Sequence, residues 1–156
     1  MLQGSRAKEL NQVLWRNVGL ATPSDTLHSV IWAASNCEID ALVAMLAFEP
    51  ESRAAAEALL VSLPGKTRAQ FPTVERLIAT MISGRMPVRL VQAEAIEQIP
   101  ESADLVAAIF RLKRSFSERR EPIYEVTFRF QRTGSEWRLL VPRAAIAEFK
   151  RSLASL

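Results

Sequence analysis

The stretch YEVTFRFQRTGSEWRLLV, residues 124–141, decides the fold of this 156-residue chain. Tyr124, Val126, Phe128 and Phe130 alternate with Glu125, Thr127, Arg129 and Gln131. A period of two is that of a β-strand with one buried face. Thr133-Gly134-Ser135-Glu136 reads as a hairpin turn, and Trp137, Leu139 and Val141 carry the alternation back along a second strand.

The pattern extends upstream. Leu105 to Lys113 is apolar on both faces at its start, as a central strand would be. Residues 87–98 form a further strand, separated from it by a turn over Pro100 to Asp104. Its apolar positions change phase, from Val88 and Leu90 to Val91, Ala93 and Ala95, which predicts a bulge or strong bend near Leu90. Downstream, Ile146, Phe149 and Leu153 predict a last helix from Pro142 or Arg143.

Before Gly84 the period is helical. Thr22-Pro23-Ser24-Asp25 opens a helix by capping residue, first-position proline and first-turn acid. Leu27, Val30, Ile31 and Ala34 form its buried face. A second helix is expected from Glu38, with Ile39, Leu42, Val43 and Leu46 on one stripe. A third is expected from Pro50 to a stop at Pro64-Gly65, and a fourth from Thr73 or Pro72 with Val74, Leu77, Ile78, Met81 and Ile82 inward. Gly84 then stands where a C-terminal cap belongs. Helices followed by an antiparallel meander without crossover helices define an α+β fold: N-terminal helices packed on a strongly curved antiparallel sheet, with an extra C-terminal helix. Residues 1–21, with Leu10, Val13 and Leu14, are expected to be an arm or linker, and 22–156 one domain.

Composition bounds the function. Apolar residues are 49% and charged ones 24%, ordinary for a globular protein. No apolar run approaches the roughly 18 residues of a membrane span. The first twenty residues lack the apolar core of a signal peptide, so the chain as given reads as cytoplasmic, with an upstream leader or domain left open. One cysteine and one histidine cannot supply a four-ligand zinc site, and no metal or cofactor is expected. Net charge is +3, and the basic excess falls after residue 110. Phe128 and Phe130 alternate with the arginines instead of sharing their face, which speaks against a nucleic-acid platform. There is no Gly-rich phosphate loop, nucleophile elbow, His-Glu-x-x-His or calcium loop.

Two short motifs carry a resemblance. Asn36-Cys37-Glu38 followed by Asp40-Ala41-Leu42, and the closing GSEWRLLVP, resemble the nuclear transport factor 2-like (cystatin-like, SnoaL-like) domains across about residues 20–142. Cys37 stands where those domains usually have Gly, and Glu38 where they have Asp. Trp15-Arg16-Asn17-Val18-Gly19-Leu20-Ala21-Thr22-Pro23 also resembles the opening of a group of bacterial proteins that brings no activity with it. The resemblance implies a sheet wrapped around helices with a cone-shaped cavity. That fold hosts isomerases, dehydratases and cyclases as well as inert binding modules.

Three residues are candidates for catalysis. His28, beside Trp32 on one helix flank, has the residue type of a general base. Tyr124 has a hydroxyl for an oxyanion-hole role. Glu94, near the inferred bend, would be a buried carboxylate if it points inward, although Ala93 and Ala95 look like the inward positions. Packing with one satisfying hydrogen bond is the commoner role of such residues. Trp32, Val43, Phe128 and Trp137, with Tyr124, are expected to line the apolar cavity. Arg111, Lys113, Arg119, Arg120 and Arg129 are expected to form an interaction surface: Arg111, Lys113 and Arg129 on the outer sheet face with Glu125 opposite, and Arg119 and Arg120 on the connection that follows. The expected function is a non-catalytic small-ligand-binding or protein-interaction module, homodimeric through its sheet. A cofactor-independent lyase or isomerase is one alternative, and an accessory domain meeting an acidic partner is another.

Overall fold

A computed structural model describes residues 15–85, 90–114 and 123–154. The expected arm residues Leu10, Val13 and Leu14, and the expected surface residues Arg119 and Arg120, lie outside the described residues.

Helix α1 (Pro23–Ser35) begins where the sequence places it: Asp25 N donates to Thr22 Oγ1 at 3.0 Å, and Pro23 occupies the first turn. It ends at Asn36, whose side chain returns to Trp32 O, and Cys37 follows at φ 55°. A cysteine in the left-handed region costs about 1 kcal/mol relative to glycine. Helix α2 (Ile39–Ala44) stops two residues short of Leu46, which the sequence pattern assigns to its stripe. Residues Leu46–Phe48 instead form a short strand, β1. Pairing with β5, Leu46↔Leu139 to Phe48↔Val141, holds these residues extended, and Pro50 keeps the next residue, Glu49, extended too (φ −70°, ψ 156°).

Helix α3 (Pro50–Ser62) is followed by a single-turn helix α4 (Gly65–Arg68) that the sequence pattern does not show. Helix α5 (Val74–Arg85) is capped by Thr73 Oγ1, which accepts from Arg76 N at 3.2 Å. Gly84 lies inside its last turn, not beyond it, so the expected glycine cap is not formed there. Strands β2 (Leu90–Ser102), β3 (Leu105–Arg114), β4 (Ile123–Thr133) and β5 (Glu136–Val141) follow, then helix α6 (Arg143–Ala154).

Among the described residues the sheet has five strands in the order β1-β5-β4-β3-β2. β1 runs parallel to β5, so the sheet is mixed; its other pairs are antiparallel. The register of β2 on β3 shifts between Leu90 and Gln92, where the apolar phase changes, and again after Ala95 and Pro100. Such bulges bend a strand. Gly134, at φ 64°, allows the two-residue connection between paired Thr133 and Glu136.

One sheet face carries Ala108, Phe110, Phe130, Leu139 and Val141 into a core shared with Val30 and Ile31 of α1, Leu42 of α2, and Leu77 and Ile78 of α5. Phe110 packs on Phe130 and Phe128 with ring centroids 6.0 and 5.9 Å away. Ile146 and Phe149 attach α6 to the same core. Residues 15–21, part of the expected arm, are stitched on as well: Trp15 is buried, Trp137 N donates to Leu20 O at 2.8 Å, and Ser29 Oγ donates to Gly19 O at 2.9 Å.

The sheet is split. β4 pairs with β3 along its length, from Ile123↔Lys113 to Gln131↔Leu105. With β5 it pairs only from Phe130↔Leu139 to Thr133↔Glu136. Beyond Leu139, β5 stays with β1 through Ala47↔Leu140 and Phe48↔Val141.

Candidate functional site

A cavity of about 610 Å³ lies in that split. Leu27, Val30 and Ile31 of α1 and Ile82 of α5 form its helical wall. Leu112, Tyr124, Val126 and Phe128 supply one sheet wall, and Leu139 and Val141 the other. Pro142, Ala145 and Glu148 close it from the start of α6. The arrangement follows from the chain's own geometry. β5 leaves β4 to follow β1, and Pro142 cannot continue the ladder and turns the chain into α6.

Polar groups sit at the margins. The lining includes Tyr124, Glu125, Thr127 and Glu148. Each carboxylate faces an arginine: Glu125 accepts from Arg111 Nη2 at 3.4 Å, and Glu148 lies 3.7 Å from Arg85 Nη1. Thr127, Phe128, Leu140 and Pro142 also border a void of about 90 Å³ beside Glu49 and Arg129.

Of the residues expected to line a cavity, Tyr124 and Phe128 do so. Trp32 and Val43 are partly buried against the core, outside its lining. Trp137 is also outside it, with the Arg132 guanidinium 5.7 Å from its ring centre. Its backbone is held by Leu20 and by Thr26 Oγ1, which donates to Trp137 O at 2.8 Å. The α1 stripe marks Leu27, Val30 and Ile31 as buried, but no sequence signal says that a cavity lies in front of them. That depends on where β4 and β5 part.

His28 and Glu94 lie elsewhere, at a cleft of about 570 Å³ that Trp15, Ser24 and Gln92 also line. His28 Nε2–H donates to Ala93 O at 3.0 Å, which ties α1 to edge strand β2. Its ring meets Trp15 edge-on, 5.4 Å between centres, and not Trp32 as the helix spacing suggests. Glu94 is opposite Arg111 in the register, on the face away from the buried Ala93. Tyr124 lines the other cavity, so the three candidates for catalysis do not share one cavity lining.

Arg111, Lys113 and Arg129 lie on the outer sheet face. Arg111 is opposite Glu125. The Arg129 guanidinium bridges Glu101, 2.9 Å from Nε, and Glu49, and those hydrogen bonds push its pKa above the usual value. This arginine ties β4 to β2 and to the start of α3, so its charge is engaged within the chain. Among the described residues, no group of three or more His, Cys, Asp or Glu is placed to hold a metal ion, and no helix is long and apolar enough to cross a membrane.

No family model matches the chain, and no curated protein matches it. Among solved structures it is similar to a protein from Thiobacillus denitrificans ATCC 25259, provisionally described as a calcium/calmodulin-dependent protein kinase type II association domain. The identity is 20%, the match covers 78% of this chain and 93% of that one, and the TM-score is 0.47. A likeness of that degree carries no function across, and the account of the fold rests on the strand order and register above.

Proposed function

We propose that this chain is a non-catalytic binding module that takes a small apolar molecule into the cavity between β4, β5 and α6. The observation that carries this reading is the cavity itself, about 610 Å³ with mainly aliphatic and aromatic walls. Volumes of roughly 300–1,000 Å³ with such walls suit small-molecule ligands. The hydrogen bond from His28 to Ala93 O, in a different cleft from Tyr124, favours binding over acid–base chemistry. The test is fluorescence of N-phenyl-1-naphthylamine, an uncharged dye at neutral pH that brightens in apolar surroundings. The protein should enhance it saturably, and Ala145→Trp, which projects an indole from the α6 wall, should abolish the enhancement while melting cooperatively. Equal enhancement by the folded variant would put the dye elsewhere and sink this reading.

A second reading concerns the outer sheet face. Ile96 and Ile99 of β2 are 44% and 45% exposed, and the adjoining rows carry both Glu94 and Glu97 and Arg111 and Lys113. A two-fold interface needs a self-complementary patch of that kind. Sedimentation equilibrium should then show a dimer that Ile99→Lys converts to monomer; a wild-type monomer at all concentrations would refute it.

A further inference from the structure

We infer that the split in the sheet receives an extended segment of another polypeptide, which pairs with the open edge of β4 and turns its apolar side chains into the cavity. The inference goes beyond the small-molecule reading and rests on backbone directions, which three hydrogen bonds fix. Arg132 N donates to Asp104 O at 2.8 Å, so the even-numbered residues of β4 turn their N–H and C=O groups toward β3. Trp137 N donates to Leu20 O and Leu139 N to Met45 O, both at 2.8 Å, so the odd-numbered residues of β5 point away from β4 and the even-numbered ones toward it. The pairs Gln131↔Arg138 and Thr133↔Glu136 then put the odd-numbered residues of β4 on the β5 side. The register of β4 on β3 runs without a shift to Ile123, so this parity holds along the strand. The backbone N–H and C=O groups of Glu125, Thr127 and Arg129 therefore project into the split, although their side chains lie on the outer face.

Among the described residues no strand pairs with 123–129 of β4 on that side. The sheet's outermost strands are poor templates by comparison. β1 has three residues, and β2 is interrupted by three register shifts and by Pro100. Residues 123–129 contain neither a bulge nor a proline. A strand seated on them sets every second side chain beside Tyr124, Val126 and Phe128, over the apolar walls of the cavity. Its intervening side chains fall beside Glu125 and Thr127, on the outer face. The occupant is therefore a segment of about six or seven residues that alternates apolar and polar. Its backbone meets the N–H and C=O groups of the edge, and its alternate side chains enter the pocket, as in β-strand addition. Ala145 and Glu148 of α6 wall the far side of the split, so a single strand fits it and the sheet of a folded second copy does not.

The experiment is fluorescence anisotropy of a labelled, terminally blocked peptide, Lys-Thr-Leu-Thr-Leu-Thr-Leu-Thr-Lys, titrated with the full chain. Two further peptides keep these side chains and carry N-methyl groups on the threonines or on the leucines. The parent should bind saturably, and at least one methylated set should bind about tenfold or more weaker, because it loses the hydrogen bonds to the edge. Equal binding by all three peptides would show that side chains alone are recognised and would overturn the inference. Absence of saturable binding by the parent would overturn it too, and saturable dye enhancement in the same preparation would leave the small-molecule reading standing. Peptide binding of the expected kind without dye enhancement would support the inference and count against that reading. On the protein side, Thr127→Pro removes an edge N–H that β3 does not use, as prolines on strand edges do. This variant should weaken the parent peptide about tenfold or more and keep the dye enhancement. Unchanged peptide affinity in the cooperatively melting variant would overturn the pairing, and if the variant fails to fold, the methylated peptides on the wild-type chain decide.

Discussion

The two halves of β4 have the same alternating sequence and different surroundings. In the half paired on both sides, Phe130 is 0% exposed, locked between Val106 of β3 and Leu139 of β5. In the half paired only with β3, on the same face, Tyr124 is 41% exposed and Phe128 is half-buried at the cavity. Alternation decides which face a side chain takes. A second paired strand decides whether that face is covered. The half-covered stretch is where the molecule can offer apolar surface to a ligand without unfolding.

The contrast can be broken at its strongest point first. Phe130→Ala should destabilise the protein by about 3–5 kcal/mol, since a fully enclosed ring leaves a cavity the core cannot refill. Urea denaturation would measure it, and a loss near that of Phe128→Ala would erase the distinction between the halves. Next is the tether of β5. Thr26 is 0% exposed and donates to Trp137 O, so Thr26→Val should cost about 1–3 kcal/mol by leaving a buried carbonyl unmet. A melting temperature equal to wild type would show that this bond does not hold β5 to α1. The smallest effect belongs to Phe128→Ala, about 1–1.5 kcal/mol, because half the ring already faces open space. The same variant should weaken dye binding, and a destabilisation as large as a core ring's would mean that the cavity is closed at that wall.

Much of the chain was legible in advance because it rests on local physics. Thr22, Pro23 and Asp25 specify a helix start through groups within one turn. Thr133 to Glu136 specify a hairpin in the same way. The phase change at Leu90 announced a bulge because alternation cannot skip a residue and remain on one face. Three readings changed for non-local reasons. Leu46 has helical spacing from Leu42, but the register Leu46↔Leu139 holds it on β5 as a parallel edge strand, a bond between residues far apart in sequence. Helix spacing sets His28 one turn from Trp32, yet Trp15 folds back to meet it. Trp32, Val43 and Trp137 have the pattern of semi-buried apolar residues, but they pack on the core from positions that do not border the cavity.

The sequence by itself determined the order of the longer helices and of the four antiparallel strands, the face most of them bury and the lack of linear catalytic motifs, because periodicity, capping and turn chemistry act within a few residues. Only the tertiary structure decided that β5 leaves β4 after Leu139, that Pro142 and α6 close the resulting gap, and that Arg85 of α5 pairs with Glu148 of α6. Those facts depend on how strands and helices distant in the chain divide their pairing. No local pattern encodes that division, because a strand's alternation is the same whether it has one neighbour or two.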